Sequence, residues 1–125
     1  PLNAYAAASI DAKVNSASPH ELILLLFEGA ESAISVAKLH MEQGNIEQKG
    51  RLISKAIDII NNGLKASLNM DVGGQLAQQL ASLYDYMAHR LITANIENSP
   101  AILTEISGLL TEIHSAWIEI KPKNQ

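Results

Sequence analysis

The stretch SPAILTEISGLLTEIHSAWIEI, residues 99–120, decides the fold. It opens on Ser99-Pro100, a pair that starts helices: the serine oxygen can take a free backbone N–H, and proline's fixed φ suits the first turn. Behind it Ile102, Ile106, Leu109, Ile113, Trp117 and Ile120 recur at steps of three and four residues. That spacing places them in one apolar stripe along an α-helix. Such a stripe needs partners, because one helix cannot bury its own face.

The partners lie upstream. Ser18-Pro19-His20-Glu21 combines an N-cap, a proline at the first helical position and a glutamate at N3, the pattern of a capping box. Gly44-Asn45 stops one periodic run, and Asn45 with Gln48 is placed to cap the next. Met70-Asp71-Val72-Gly73-Gly74 makes a second break and Asn98-Ser99-Pro100 a third. The helices so marked cover 19–43, 46–69, 73–97 and 100–120. At 1.5 Å per residue each spans about 30–37 Å. Four near-equal helices with short connections predict an all-α, antiparallel up-down-up-down four-helix bundle. Residues 18–120 form the bundle in this reading, 1–17 a short helical or flexible N-terminal segment, and 121–125 a flexible tail.

Composition agrees. The 125 residues include 16 Leu, 15 Ile and 17 Ala against three Val, an aliphatic mixture that favours helix. One domain of this length buries a core without staples. Cysteine is absent, which excludes disulfides, thiolate metal sites and a cysteine nucleophile. The net charge is −4 and no basic cluster occurs, so the electrostatic footprint for nucleic acid is missing. Leu22 to Phe27, the longest apolar run, is far too short to span a bilayer. No signal-peptide pattern opens the sequence. These features read as a soluble, intracellular, single-domain protein.

The apolar surface exceeds what four helices can hide. On the second segment, Ile59, Leu52, Ala56, Ile60, Ile53, Leu64, Ile57 and Leu68 spread over about 180° of the helix, where a core-facing stripe needs little more than 100°. Ile57, Leu64 and Leu68 form the surplus edge. On the first, Leu24, Leu25 and Leu39 lie off a stripe of Leu22, Leu26, Ala30, Ala33 and Ala37. The third has its core stripe at Leu76, Leu80, Leu83, Tyr84, Met87 and Leu91, with Tyr86 outside it. Exposed apolar residues are ordinary on any protein, and a contiguous patch also receives a partner chain. The low charge fraction of 18% tilts the balance toward a binding surface. Leu2 to Ala17 carries sparse anchors at Leu2, Tyr5 and Ile10. It either docks a short amphipathic turn on the bundle or is a mobile tail.

Catalytic patterns are missing. A di-metal carboxylate bundle needs Glu-x-x-His pairs, yet the residues three before His20, His40, His89 and His114 are Ala17, Ala37, Tyr86 and Thr111. No H-E-x-x-H helix, phosphate-cradling glycine loop or G-x-S-x-G elbow occurs. Gly73-Gly74 has no following Lys and reads as a turn. Asp85 and His89 are one helical turn apart, read as an exposed pair in preference to a dyad. His20, at N2 of its helix, reads as having a local role. Neither a cofactor nor a metal is expected, and the chain does not read as an enzyme. Tyr84-Asp85-Tyr86 concentrates two of five aromatics: Tyr84 suits the core, while Tyr86, with Arg90 four residues on, suits either an interface anchor or a tyrosine packed on its own helix.

Taken together, these stretches resemble the flagellin-specific export chaperone family, FliS. The resemblance rests on Asn3-Ala4-Tyr5, on Ala17 to Ile23 running into Leu26-Phe27-Glu28-Gly29-Ala30, on Leu83-Tyr84-Asp85-Tyr86-Met87 with Arg90-Leu91 and Ala94-Asn95, and on Gly108-Leu109-Leu110 through Ala116-Trp117. Lys55-Ala56-Ile57-Asp58-Ile59-Ile60 fits as well. Departures are mild: Phe27-Glu28 stands where Tyr-Asp is common, Leu25 where Met is common, and His89 where a second Arg often precedes Arg90. The resemblance implies a cytoplasmic chaperone that binds the disordered C-terminal segment of flagellin 1:1, prevents premature polymerisation and assists delivery to the flagellar type III export gate. From the surplus surface, Ile57, Leu64, Leu68, Tyr86 and Arg90 are the candidate partner-binding residues, and Leu2 and Tyr5 a built-in placeholder over part of the groove. The alternative is a self-associating structural or adaptor bundle that buries its surplus face in a homodimer.

Overall fold

The computed structural model describes residues 13–120, which are helical with short connections and contain no strand. After helical backbone at 13–16 come α1 (Pro19–Glu42), α2 (Ile46–Asp58), α3 (Met70–Glu97) and α4 (Pro100–Glu119). A π-helical continuation, Ile59–Lys65, extends α2 without a break. The architecture is an all-α helical bundle, as the sequence predicts. The Leu2 and Tyr5 assignments lie outside the described residues.

The caps explain the boundaries. Ser18 Oγ accepts the Glu21 N–H at 3.2 Å, the serine half of the box, and donates to the Glu21 carboxylate at 3.1 Å. Ser99 Oγ accepts the Ile102 N–H at 3.2 Å, and Asn98 closes α3 in the left-handed region at φ 51°. Asn45 departs from expectation. Its side chain makes no cap and turns back to donate to His40 Nδ1 and Gln43. α3 begins at Met70, earlier than predicted, because Asn69 Oδ1 accepts the N–H groups of Asp71 and Val72. The break seen in Gly73-Gly74 survives as a kink: Gly74 sits at φ 53°, ψ −129°, a conformation reserved for glycine.

Long-range contacts set helix directions. Leu26 lies against Gly63 and Gly29 against Ile59, so α1 and the end of α2 run oppositely. At Gly63 a Cβ would come within 2.9 Å of Leu26 Cδ2, and the missing side chain permits this approach. Lys49 bonds to Asn95 and Asn98, and Lys65 to Asp85, which opposes α2 and α3. His20 meets Trp117 and Lys38 meets Thr104, which opposes α1 and α4.

The core runs through Phe27, Ala30, Ile34, Ala37 and Met41 of α1, Ile53, Ala56, Ile60 and Leu64, Tyr84, Met87, Leu91 and Ala94 of α3, and Ile102, Leu103, Ile106 and Leu110 of α4. Leu22, expected in the α1 stripe, is exposed, because it sits at least about a third of a turn from the line of Phe27 and Ile34. Leu64, expected on the surplus edge, is only 1% exposed. The π turn gives the reason. Its i→i+5 bonds, such as Ala66 N–H to Asn61 O at 3.2 Å, advance fewer degrees per residue and return Leu64 to the core. Ile120 leaves the helical period, its backbone being extended at φ −82°, ψ 107°, and is exposed.

Candidate functional site

One end of the bundle is left open. There the start of α1, the π-helical end of α2, the kinked start of α3 and the last turns of α4 surround a groove of about 320 Å³. Ile23 and Phe27 line it from α1, Leu64 and Leu68 from the second segment, Val72, Leu76, Leu80 and Tyr84 from α3, and Ile113 and Trp117 from α4. Its mouth is markedly apolar: Val72 is 84% exposed and Leu76 is 65% exposed. Leu76 was expected in the core, but behind the Gly74 kink no other helix covers it. Covering such a side chain is worth on the order of 1.5–3 kcal/mol when complete, so this end presents unused binding energy. A second apolar cleft, lined by Val14, Leu22, Leu25 and Leu26, adjoins the start of the described chain.

Two imidazoles stand behind the groove's aromatic wall. His20 Nε2–H donates to the Trp117 carbonyl at 2.8 Å, and Trp117 Nε1–H donates to the His20 carbonyl at 3.2 Å. Their rings stack at 5.1 Å. His114 Nδ1–H donates to the Glu31 carboxylate at 2.8 Å while its ring stacks on Phe27 at 5.3 Å. The role expected for His20 was local; it instead joins the first turn of α1 to the last of α4. Tyr84 sits at the base of the groove, and burial pushes its phenol up to about 12.

The candidate residues divide into separate places. Leu64 and Leu68 share the groove. Ile57 is half-buried against the core. Tyr86 and Arg90 converge on one carboxylate: Tyr86 Oη–H donates to Glu105 Oε2, and Arg90 Nε and Nη2 donate to Glu105 Oε1 at 3.2 and 3.1 Å. The Tyr86 bond, then that of Arg90, holds the Glu105 carboxyl below its ordinary range, and Glu105 pushes the Tyr86 phenol up. Tyr86 and Arg90 thereby tie α3 to α4 while Tyr86 stays 44% exposed. The supposed Asp85–His89 pair is a different arrangement, since Asp85 takes Lys65 at 2.6 Å and His89 Nδ1–H donates to the Asp85 backbone carbonyl at 2.8 Å.

Sequence reasoning missed Ile23, Val72, Leu76 and Trp117 as groove residues. The available signal was Gly73-Gly74, a flexible pair inside a helix start, just before Leu76 and Leu80. Among the described residues, no three His, Asp or Glu side chains converge as a metal site, and no helix is long and apolar enough to cross a membrane.

A helical bundle with an open apolar groove and an intramolecular polar seam is the scaffold of a protein-binding module. Its family is explicit: the family described as "Flagellar protein FliS" matches residues 1–124, and the chain belongs to it. This is a chaperone family, not an enzyme family. The chain is similar to the flagellar secretion chaperone FliS of Salmonella typhimurium, 50% identical over 122 residues that cover 98% of this chain and 90% of that protein. It is 39% identical to the flagellar secretion chaperone FliS of Vibrio cholerae over 122 residues, 98% and 89% of the two chains. It is 45% identical to the flagellar secretion chaperone FliSB of Pseudomonas aeruginosa over 113 residues, 90% and 89% of the two.

Proposed function

We propose that this chain is a cytoplasmic flagellar secretion chaperone that binds the C-terminal segment of flagellin 1:1. It keeps that segment from premature polymerisation and assists its delivery to the type III export apparatus. The observation that carries the reading is the open groove in a chain that aligns with flagellar secretion chaperones over nearly its whole length. A disordered segment that folds as it binds needs a long, shallow apolar surface, and Val72, Leu76, Leu68 and Trp117 offer one. Competitive burial is the mechanism: apolar flagellin surface that would drive polymerisation is covered by the chaperone. The cost of ordering the segment offsets part of the contact energy and keeps the complex releasable.

Within this reading Leu68 contacts the partner from the groove while buried Leu64 supports it from the core, Ile57, Tyr86 and Arg90 extend the contact along the bundle, and Leu2 and Tyr5 act as the placeholder displaced by flagellin. Titration calorimetry of the full chain with the C-terminal segment of its cognate flagellin, with circular dichroism of the mixture, tests the function. Saturation at 1:1, a negative heat-capacity change and a gain of helix are expected. An absence of binding together with a dimer in light scattering would replace it with the self-associating bundle. Unchanged affinity and export in Tyr5→Ala would remove the placeholder.

A further inference from the structure

We propose that His20 and Trp117 form a clasp whose closure positions the aromatic wall of the groove, so that the α1–α4 seam at this end must be shut to hold a partner and its opening is the route of release. The inference rests on the reading of the groove as the partner-binding surface. The two residues are 97 positions apart, and each donates a ring N–H to the other's backbone carbonyl. Their stacked rings lie 16° from parallel. Trp117 lines the groove directly, whereas His20 does not, so His20 acts through Trp117 and is a positioning residue.

The same construction repeats about one turn inward. His114 stacks on Phe27, another lining residue, and is anchored by Glu31. Two of the groove's aromatic rings are therefore each backed by an imidazole that spans the seam between α1 and α4. The outer pair occupies the terminal turns of both helices: His20 is the second residue of α1, and Trp117 stands in the last turn of α4. Terminal turns open at the lowest free-energy cost in a fold. Trp117 O also accepts the Ile120 N–H that closes α4, at 3.2 Å. Loss of the clasp thus loosens the end of α4 and withdraws the indole from the groove in one event. The inner His114–Glu31 pair keeps the remainder of the seam shut, which confines the motion to the wall.

The test uses the full chain, the C-terminal flagellin segment and, as a partner-independent probe, the apolar dye 8-anilinonaphthalene-1-sulfonate. Trp117 is the sole tryptophan, so its emission reports the wall alone. His20→Ala should shift that emission to the red and weaken dye and segment at least fivefold, with helix content unchanged. His20→Gln, which keeps an N–H at the position of Nε2, should restore binding to within about twofold of the parent. Should His20→Ala fail to fold, Trp117→Phe, which keeps an apolar ring and loses the donor, should weaken the dye about threefold. Unshifted emission with parental affinities in His20→Ala, or unchanged dye binding in Trp117→Phe, would overturn the clasp. Parental binding of both ligands in His20→Ala would discard the clasp and leave the flagellin reading standing. Dye binding that needs His20, without segment binding by the parent, would keep the clasp and discard the flagellin reading. A parent that binds neither ligand would overturn both.

Discussion

The two ends of the bundle are built on opposite principles. At the end where α1 and α3 finish and α2 and α4 begin, Lys49 is 3% exposed and its ammonium donates to the Asn95 carbonyl and to Asn98 Oδ1. The left-handed Asn98 and the Ser99 cap complete the turn, and Leu103 fills the core beneath. A cation at a helix C-terminus meets the free carbonyls there with favourable sign. At the other end the backbone is irregular in two places, the π-helical Ile59–Lys65 and the Gly74 kink, and apolar side chains are left uncovered. The difference teaches where this fold spends its regularity: one end closes the bundle, the other leaves an apolar groove uncovered.

The largest expected effect belongs to the closed end. Lys49→Met leaves the half-buried Asn95 carbonyl and the Asn98 amide oxygen without their donor and should cost about 2–3 kcal/mol in urea unfolding. Its affinity for the flagellin segment should stay within about twofold of the parent. A large affinity loss at parental stability would break the division between the ends. Leu76→Glu should do the reverse: segment affinity falls about tenfold, roughly 1.4 kcal/mol, while stability changes by no more than about 0.5 kcal/mol. Calorimetry and urea unfolding of the same preparation check both halves.

Gly74→Ala sharpens the comparison further. A Cβ at this position meets nothing within 4 Å, so its effect is conformational rather than steric. A destabilisation of about 1–2 kcal/mol in thermal or urea unfolding is expected, as for a side chain forced to positive φ. Full stability would show that the kink is not required.

The smallest effect is silent at neutral pH. Burial raises the Tyr84 phenol from 10 to about 12, so the folded state holds its proton longer than the unfolded chain does. The stability this contributes is full below pH 10 and is lost as pH rises toward 12. Ultraviolet titration should lose the latest-ionising phenol in Tyr84→Phe, leaving only the rise that Glu105 gives Tyr86. Ordinary ionisation of every tyrosine would place Tyr84 in solvent.

Much of the fold was readable because caps and periodicity are local. Ser18-Pro19, Asn98-Ser99-Pro100 and the Ile102–Ile106 spacing each dictate helix over a few residues, and the structure follows them. The groove was only half readable. Angular arithmetic on an ideal helix singled out Leu64 and Leu68 but placed Leu64 at the edge, because nothing in Ile59-Ile60-Asn61-Asn62-Gly63-Leu64 announces a π turn. Leu76 and Leu80 carried a core signal, since periodicity records which residues share a face and not whether another helix arrives to cover it. The His20–Trp117 and Lys49–Asn98 contacts join residues far apart in sequence, and no spacing rule reaches them. Tyr86 and Arg90 were legible as a pair on one face; their shared carboxylate, Glu105, lies on another helix.

Amide hydrogen exchange of the full chain with and without the flagellin segment tests the central claim most directly. The account predicts slowed exchange in residues 64–80 and 113–119, around the groove, and none in 41–49 or 95–103. Protection confined to the closed end, with the groove unchanged, would contradict it.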